Sequence, residues 1–230
     1  MLQVVQFGYG GDNLGYLVHD TKEAIAIDPG NPGFAAGYLR KHGLRLKEIR
    51  NTHSHFDHTS GNRGLAAEFG VRAVPSSGGE RFSLGDDVIE VIPTPGHTPD
   101  SVSFRHNGWV ITGDTLFIAN AGNCSSGLLR AFRESLARLL ALPDETVIYP
   151  GHDYTDRSLR RAMLIEPENE DIRHFQSAYR PPPVVSTIGA ERKINPYIRT
   201  DEPPVVAYLE KNGKPTGTAL ERFGSFLDIN

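Results

Sequence analysis

The sequence predicts an α/β fold in which two β-sheets lie between layers of helices. Apolar, β-rich segments and helical segments alternate twice over within residues 1–165. Glycines directly after two helical segments, and an Asn-Gly pair between two apolar segments, mark where elements end. From about residue 166 the pattern becomes irregular, so the sequence predicts a domain over 1–165 and an appendage over 166–230.

The first half of the pattern contains four predicted strands and two predicted helices. The strands are 2–7, 15–18, 24–27 and 49–52. The helices, 33–42 and 62–69, end at Gly43 and Gly70, because glycine readily adopts the left-handed conformation that closes a helix. Asp28, in Asp28-Pro29-Gly30, closes the third strand and is interpreted as a turn residue without a functional role.

The second half repeats the alternation. Its predicted strands are 71–74, 88–92, 102–106, 109–112 and 146–149. Asn107-Gly108 joins two of them as a hairpin, since this pair favours a two-residue turn. Helices are predicted over 128–142 and 156–165, and the first has an apolar face typical of core packing. In the appendage, Pro181-Pro182-Pro183 and later prolines predict irregular, partly helical structure that cannot fold alone.

The composition excludes several classes of partner. The net charge is −4 and no basic run occurs, which argues against nucleic acid. No apolar run approaches the length of a membrane span, and the N-terminal residues lack the features of a signal peptide. Cys124 is the single cysteine and is interpreted as an apolar filler, so a cytoplasmic protein is expected. No pattern indicates an oligomeric state.

The segment Thr52-His53-Ser54-His55-Phe56-Asp57-His58 predicts a metal site. If it is extended, His53, His55 and Asp57 point together, and His58 points toward a neighbouring position. This arrangement suits two metal ions a few ångströms apart, the first on His53 and His55 and the second on Asp57 and His58. Imidazole and carboxylate ligands favour zinc, with iron or manganese as alternatives.

Three further candidate ligands each follow a predicted strand beside a glycine. They are His97 in TPGH, Asp114 in TGD and His152 in YPGH. Four other histidines lie in turn-like or helical surface contexts and are assigned no role: His19, His42, His106 and His174. The combination of the histidine-rich segment with three such strand ends favours a metal site over a histidine-rich surface loop.

These motifs carry a family resemblance. HSHFDH, TPGHTPDS, GDTLF and YPGHDYT, in this order and spacing, resemble the metallo-β-lactamase superfamily and, within it, glyoxalase II, the hydroxyacylglutathione hydrolases. EPEN after residue 165 and INPY at 194–197 resemble that family's helical C-terminal region. The resemblance implies a metallo-β-lactamase αββα four-layer sandwich, with a catalytic domain over 1–165 and a short glyoxalase II-like appendage over 166–230.

The resemblance also implies a ligand set and a reaction. The first of two divalent ions is expected on His53, His55 and His97, the second on Asp57, His58 and His152, and Asp114 bridges both. Asp57, His58 and Asp114 are the predicted catalytic residues. A shared hydroxide would attack a small-molecule acyl-thiol such as an S-2-hydroxyacylglutathione, since a thiolate with a pKa of about 8.5 leaves without strong acid catalysis.

The substrate contacts depart from the resembled family. Its lysine and tyrosine after GDTLF correspond to Asn123 and Ser125 here, while Tyr154 in GHDYT is retained, and these three are the predicted substrate contacts. Leu220 and Phe223 stand where the family has arginine and lysine. Each lost charged hydrogen bond is worth ~1.5–3 kcal/mol, so poor affinity for glutathione thioesters and a less negative thiol carrier are expected.

Three alternatives remain open at the level of sequence. An Fe(II) persulfide dioxygenase resembles the same family and retains the same ligands. A lactone or ester hydrolase of this fold would use the same metals. A binding protein on a degenerate hydrolase scaffold is disfavoured, because the seven ligand positions are all occupied by suitable residue types.

Overall fold

Two β-sheets face each other in the computed structural model, which describes residues 1–229. The first sheet contains, in spatial order, β1 (Gln3–Tyr9), β2 (Asn13–His19), β3 (Glu23–Ile27) and β4 (Arg45–Arg50). The second contains, in spatial order, β12 (Ser186–Thr187), β11 (Val147–Pro150), β8 (Trp109–Gly113), β7 (Val102–His106), β6 (Asp87–Pro93) and β5 (Arg81–Leu84). A separate two-stranded ladder pairs β9 (Leu116–Phe117) with β10 (Asn120–Ala121).

Helices cover the outer faces of both sheets. Within residues 1–229 they are α1 (Pro32–His42), α2 (Phe56–Thr59), α3 (Asn62–Phe69), α4 (Leu129–Leu140), α5 (Thr155–Ile165), α6 (Glu170–Ala178), α7 (Ile188–Ile194), α8 (Pro203–Lys211) and α9 (Ala219–Leu227). The predicted helices over 33–42, 62–69, 128–142 and 156–165 correspond to α1, α3, α4 and α5. In this part of the chain, no helix combines the length and apolar character needed to cross a membrane.

The alternation of side chains along the strands produces the layers. In β2, Tyr16 and Val18 pack between the two sheets, whereas Leu17 packs in the apolar cluster under α1 and α3. In β8, Ile111 joins the inter-sheet cluster and Val110 joins the cluster that contains residues of α4 and α9. Both strands are therefore buried on two faces. The predicted αββα four-layer arrangement is confirmed.

The predicted hairpin is also confirmed. His106 of β7 pairs with Trp109 of β8, and Gly108 has a φ of 79°, which the tight turn requires. One strand prediction was wrong, because residues 71–74 contribute a single bridge between Ala73 and Ile49. Strand β5, which pairs with β6, was not predicted.

The C-terminal appendage packs against the second sheet and α4. Ile188, Val205 and Phe223 share one buried apolar cluster with Phe132 of α4. Strand β12 adds to the edge of the sheet through Ser186 and its neighbour. The appendage is therefore largely helical and shares its core with the preceding residues, while the division at residue 165 stays a prediction.

Candidate metal centre

The histidine-rich segment changes conformation where the sequence analysis expected one extended stretch. His55 has extended dihedral angles (φ −60°, ψ 145°) and is the N-cap of α2, the single helical turn that carries Asp57 and His58. The expected alternation therefore ends at His55, because the helical turn changes the direction of the later side chains. The turn separates His53 and His55 from Asp57 and His58. These are the two predicted pairs, although the prediction assumed an extended segment.

A first cluster is formed by His53, His55 and His97. The Nδ1 atom of His55 lies 2.9 Å from Nε2 of His53 and 3.0 Å from Nε2 of His97. All three nitrogens fall within 4.8 Å of one another, which is the spacing of ligands around one ion. His53 and His97 are 3% and 5% exposed, so their geometry is fixed by packing.

A second cluster is formed by Asp57, His58 and His152. The Oδ2 atom of Asp57 lies 3.6 Å from Nε2 of His58 and 3.5 Å from Nε2 of His152. Asn13 donates a hydrogen bond of 2.9 Å from Nδ2 to the same carboxylate oxygen. The two imidazoles are buried, whereas the carboxylate of Asp57 is 47% exposed and faces solvent.

Asp114 lies between the two clusters. Its Oδ2 atom is 3.5 Å from Nε2 of His97 and 3.3 Å from Nε2 of His152, and its Oδ1 atom is 3.4 Å from Nε2 of His58. Within residues 1–229, Oδ1 of Asp114 and Nε2 of His58 are buried without a hydrogen-bond partner. Buried polar atoms are normally paired, so these two atoms fit a site that is completed by cations. The donor set suits a dinuclear metal site.

The electrostatic environment differs from one candidate ligand to the next. Burial disfavours the charged imidazole of His53 and lowers its pKa to about 4. Burial alone would also lower the pKa of His58, but the carboxylates of Asp28 and Asp114 outweigh it and raise the pKa to about 11. Burial opposes ionisation of Asp114, yet the imidazoles of His152 and His58 close to its carboxylate hold its pKa far below the usual range. Metal binding at His58 must therefore displace a proton.

Acceptors behind the imidazoles fix their tautomers. The Nδ1 atom of His97 lies 3.1 Å from the carbonyl oxygen of Asn123, and Nδ1 of His152 lies 2.9 Å from Oδ1 of Asp12. A carbonyl or carboxylate oxygen can only accept, so each Nδ1 carries the proton and each Nε2 presents its lone pair to the centre. Such outer partners orient metal-binding histidines in proteins.

Asp28 contacts the centre as well, although it was interpreted as a turn residue without a functional role. It is fully buried, and its Oδ2 atom lies 3.0 Å from Nδ1 of His58 and accepts a 2.6 Å hydrogen bond from the hydroxyl of Thr52. That hydroxyl lies 3.0 Å from Nδ1 of His53. Asp28 therefore orients one imidazole in each cluster, one directly and one through Thr52. A non-glycine residue with a φ of 49° was the structural signal, and the sequence does not display it.

The close packing around Gly151 explains why a glycine precedes His152. A Cβ atom at this position would lie 2.2 Å from Oδ1 of Asp114 and 3.0 Å from Cε1 of His58. Any side chain here would displace the residue that lies between the clusters. The glycine of YPGH therefore gives the strand end the close approach that the centre requires.

A cleft of about 400 Å³ opens beside the centre and holds two of the three predicted substrate contacts. Its lining includes His97 and Asp114 of the centre together with Tyr154 and Asn123. Ser125 is not part of this lining; its hydroxyl donates a 2.5 Å hydrogen bond to the carbonyl of His97.

Of the four departures from the family pattern, two lie on α9. Phe223 is 1% exposed and packs edge-on against Phe132, with 5.6 Å between ring centroids, and neither it nor Leu220 lines the cleft. Four histidines were assigned no role, and within residues 1–229 none of them belongs to the three-residue groups of potential metal ligands: His19, His42, His106 and His174.

All seven predicted ligand residues are therefore brought together, in the two predicted groups with Asp114 between them. Their function as ligands stays a prediction at this point. The geometry supplies six imidazole or carboxylate donors in two sets and one carboxylate that reaches both. Two cations held in this way would lie beside the cleft.

Comparison with known proteins places this geometry in a family. Residues 8–90 and 73–152 match the metallo-beta-lactamase superfamily, and residues 153–224 match the hydroxyacylglutathione hydrolase C-terminus. The chain is 35% identical to the hydroxyacylglutathione hydrolase of Maricaulis maris over 90% of this chain and 91% of that one. It is 34% identical to that of Anaeromyxobacter dehalogenans, over 92% and 91%.

A solved structure shares the fold of this chain. The fold is similar to the crystal structure of ETHE1 from Myxococcus xanthus, with a TM-score of 0.72 at 26% identity, covering 98% of this chain and 90% of that chain. The two family matches together cover the sandwich and most of the appendage. The chain therefore belongs to the metallo-beta-lactamase superfamily and, within it, to the hydroxyacylglutathione hydrolase family.

Proposed function

We propose that the protein is a metal-dependent thioester hydrolase of glyoxalase II type that cleaves S-2-hydroxyacyl thioesters. The observation that carries this proposal is the pair of three-residue clusters around Asp114, beside a cleft that His97 and Asp114 help to line. The hydroxyacylglutathione hydrolases among its relatives, at 35% and 34% identity over most of the chain, support the same reaction class.

The proposed ligand sets follow the two clusters. His53, His55 and His97 would hold one divalent ion, and the second would be held by the other cluster, Asp57, His58 and His152. Asp114 would serve both ions. Nitrogen and carboxylate ligands without a thiolate favour zinc, which we propose as the metal, with iron and manganese as the alternatives.

Divalent ions at such a centre lower the pKa of water and polarise a carbonyl group. The residues of this chain then position the reactants. Asp57, held by Asn13 and partly exposed, is proposed to orient the attacking water through its carboxylate. Asp114 is proposed to hold both halves of the centre in register, and His58, fixed by Asp28, to keep the second half in place.

The cleft suits a thioester. A thiolate leaving group has a pKa of about 8.5 and departs without a strong general acid, and none is required of the cleft residues. Burial raises the pKa of Tyr154 to about 12, so its hydroxyl remains protonated and can donate a hydrogen bond to the substrate. Asn123 is proposed as a second contact, and Ser125 as a contact that would require its bond to His97 to open.

The test combines metal analysis with two reaction assays. Purified protein should contain about two metal ions per chain and should release free thiol from S-D-lactoylglutathione without consuming oxygen. Asp114→Ala should lose the most metal and nearly all thiol release, because one carboxylate contacts both clusters. Asp156→Ala is the matched control, since this carboxylate is 85% exposed on α5 and should leave both measurements unchanged.

Two results would contradict the proposal. Full metal content and full activity in Asp114→Ala would exclude the shared-carboxylate site. Oxygen uptake on addition of glutathione persulfide, with iron as the bound metal, would assign the protein to persulfide oxidation instead. The cytoplasm is the proposed compartment, because the single free cysteine, Cys124, requires no oxidising environment.

A further inference from the structure

The substrate cleft keeps positive charge even though the cationic positions of the resembled family are not basic here. Asn123 and the buried Phe223 stand at two of those positions. Ser125, at the tyrosine position, donates its hydroxyl to the carbonyl of His97. In the described part of the chain, the basic residues that line the cleft are instead Arg157 and Arg161, both on α5. The charge therefore comes from a different element of the fold.

Arg157 is connected to the metal centre by a stack of rings. The ring of Tyr154 lies parallel to that of His152, with 5.0 Å between centroids and an interplanar angle of 8°. The guanidinium carbon of Arg157 lies 4.7 Å from the centroid of the same Tyr154 ring, on a side chain that is exposed. Two successive contacts of about 5 Å, from His152 to Tyr154 and from Tyr154 to Arg157, therefore connect the guanidinium with a candidate metal ligand.

The donors of Arg157 are not used by neighbouring protein groups. Within residues 1–229 this side chain makes no ion pair and no side-chain hydrogen bond, and its contact is with the Tyr154 ring. Arg160, the next arginine on α5, lies 3.6 Å from the carboxylate of Asp156 and does not line the cleft. Arg161 lines the cleft and has its guanidinium 5.6 Å from the Phe226 ring.

We infer that Arg157 is a specificity-determining residue that binds a carboxylate of the thiol carrier while the thioester lies at the metal centre. This inference rests on the proposed hydrolase function. A guanidinium has a planar set of donors that matches a carboxylate in two parallel hydrogen bonds. Stacking on Tyr154 limits the orientations of the side chain, so less freedom is lost on binding. The substrate class is an acyl thioester whose thiol carries a carboxylate several bonds from sulfur.

This inference reverses the expectation drawn from sequence, which was a less negative thiol carrier. That expectation counted the basic residues lost from the loop and from α9. It did not include α5, because Arg157 follows the GHDYT motif in a helix whose exposed face gives no functional signal. The structure places that residue on the wall of the cleft.

The test compares S-D-lactoylglutathione with its diethyl ester, which lacks both negative charges. The wild-type protein should prefer the acid by about tenfold or more in kcat/KM. Arg157→Gln should reduce that preference to about onefold, chiefly by raising KM for the acid, and Arg157→Lys should retain part of it. Arg160→Gln, the matched control, should keep the wild-type preference because its side chain is outside the cleft.

A binding measurement removes the dependence on turnover. S-hexylglutathione, titrated calorimetrically into metal-loaded protein, should bind Arg157→Gln about tenfold more weakly than wild type, and its diethyl ester should bind both equally. A merely structural role for Arg157 would affect acid and ester alike and would lower the melting temperature.

The outcomes separate the two proposals. If wild type hydrolyses both thioesters but Arg157→Gln keeps the preference for the acid, the inference fails and the hydrolase function stands. If wild type hydrolyses neither, the proposed function fails and the inference fails with it.

Discussion

Asp28→Asn tests whether the buried carboxylate beneath the centre sets the tautomer of His58. The Oδ1 atom of Asp28 accepts a 2.8 Å hydrogen bond from the backbone N–H of Thr52. An asparagine at this position must keep its oxygen there, since its amide nitrogen cannot accept. The NH₂ group would then occupy the Oδ2 position and face Nδ1 of His58 at about 3.0 Å.

This exchange forces a conflict at His58. With a donor facing it, Nδ1 must become the acceptor, and the imidazole proton moves to Nε2, which faces the second cluster and can no longer bind a cation. The backbone tolerates the change, because asparagine adopts the φ of 49° found at Asp28 more readily than most residues. The substitution is therefore close to isosteric and changes mainly the hydrogen-bond pattern.

The expected loss of metal affinity can be taken from the usual contribution of groups that hydrogen-bond to metal-binding histidines. Loss of such a partner typically weakens metal affinity 10–100-fold, or about 1.4–2.8 kcal/mol. We expect the upper half of that range, because Asp28 is fully buried and also supports His53 through Thr52. Competition with a chromophoric chelator measures the affinity of each ion, and the ion at the second cluster should be released first.

Two variants calibrate the measurement. Asp12→Asn alters the same kind of contact at His152, but the Asp12 side chain is 51% exposed and water can replace it, so a smaller loss is expected. Asp87→Asn alters a carboxylate 3.3 Å from His106, outside the centre, and should leave metal affinity unchanged. Wild-type chelator resistance in Asp28→Asn would refute the tautomer argument.

Three further predictions use other parts of the chain. Gly151→Ala should reduce metal content, since its Cβ would lie 2.2 Å from Oδ1 of Asp114; metal analysis of folded protein checks this. Burial raises the pKa of Glu191 from 4.5 to about 7, so the folded state holds this proton more tightly and stability should fall by about 3 kcal/mol as pH rises from 4.5 to 7. Denaturant unfolding should show this slope in wild type and a flatter one in Glu191→Gln. Phe223→Ala should cost about 3–5 kcal/mol in the same assay, because the ring is buried against Phe132.

The elements that the sequence predicted well have strong local determinants. Helix α3 ends where Gly70 adopts a φ of 66°, and the β7–β8 hairpin forms at its Asn-Gly pair. Strand β5 was missed because Arg81 and Ser83 are exposed and its apolar residues are few. Its pairing with β6 stabilises it, and a nonlocal partner leaves little trace in a four-residue window.

The ligand residues of the site could be predicted from the sequence, whereas their supporting contacts could not. Ligand residues are conspicuous because imidazoles and carboxylates cluster in the chain or follow strand ends beside glycine. The helical turn at Asp57 and His58 was not predicted, since the segment was interpreted as an extended stretch throughout. Asp28 was missed because a lone aspartate before Pro-Gly is usual in turns, and its contacts to Thr52 and His58 bridge 24 and 30 residues.

The appendage is coupled to the metal centre through the loop that lines the cleft. Glu191 accepts a 2.9 Å hydrogen bond from the backbone N–H of Ala119, a residue held at a φ of 51°, and Asn195 donates to the same carboxylate. Four residues after Ala119, the carbonyl oxygen of Asn123 accepts a hydrogen bond from Nδ1 of His97. Because both contacts belong to one loop, loosening the appendage should disorder the cleft wall and release the tautomer of His97. The helices after residue 165 therefore support the first cluster as well as the core.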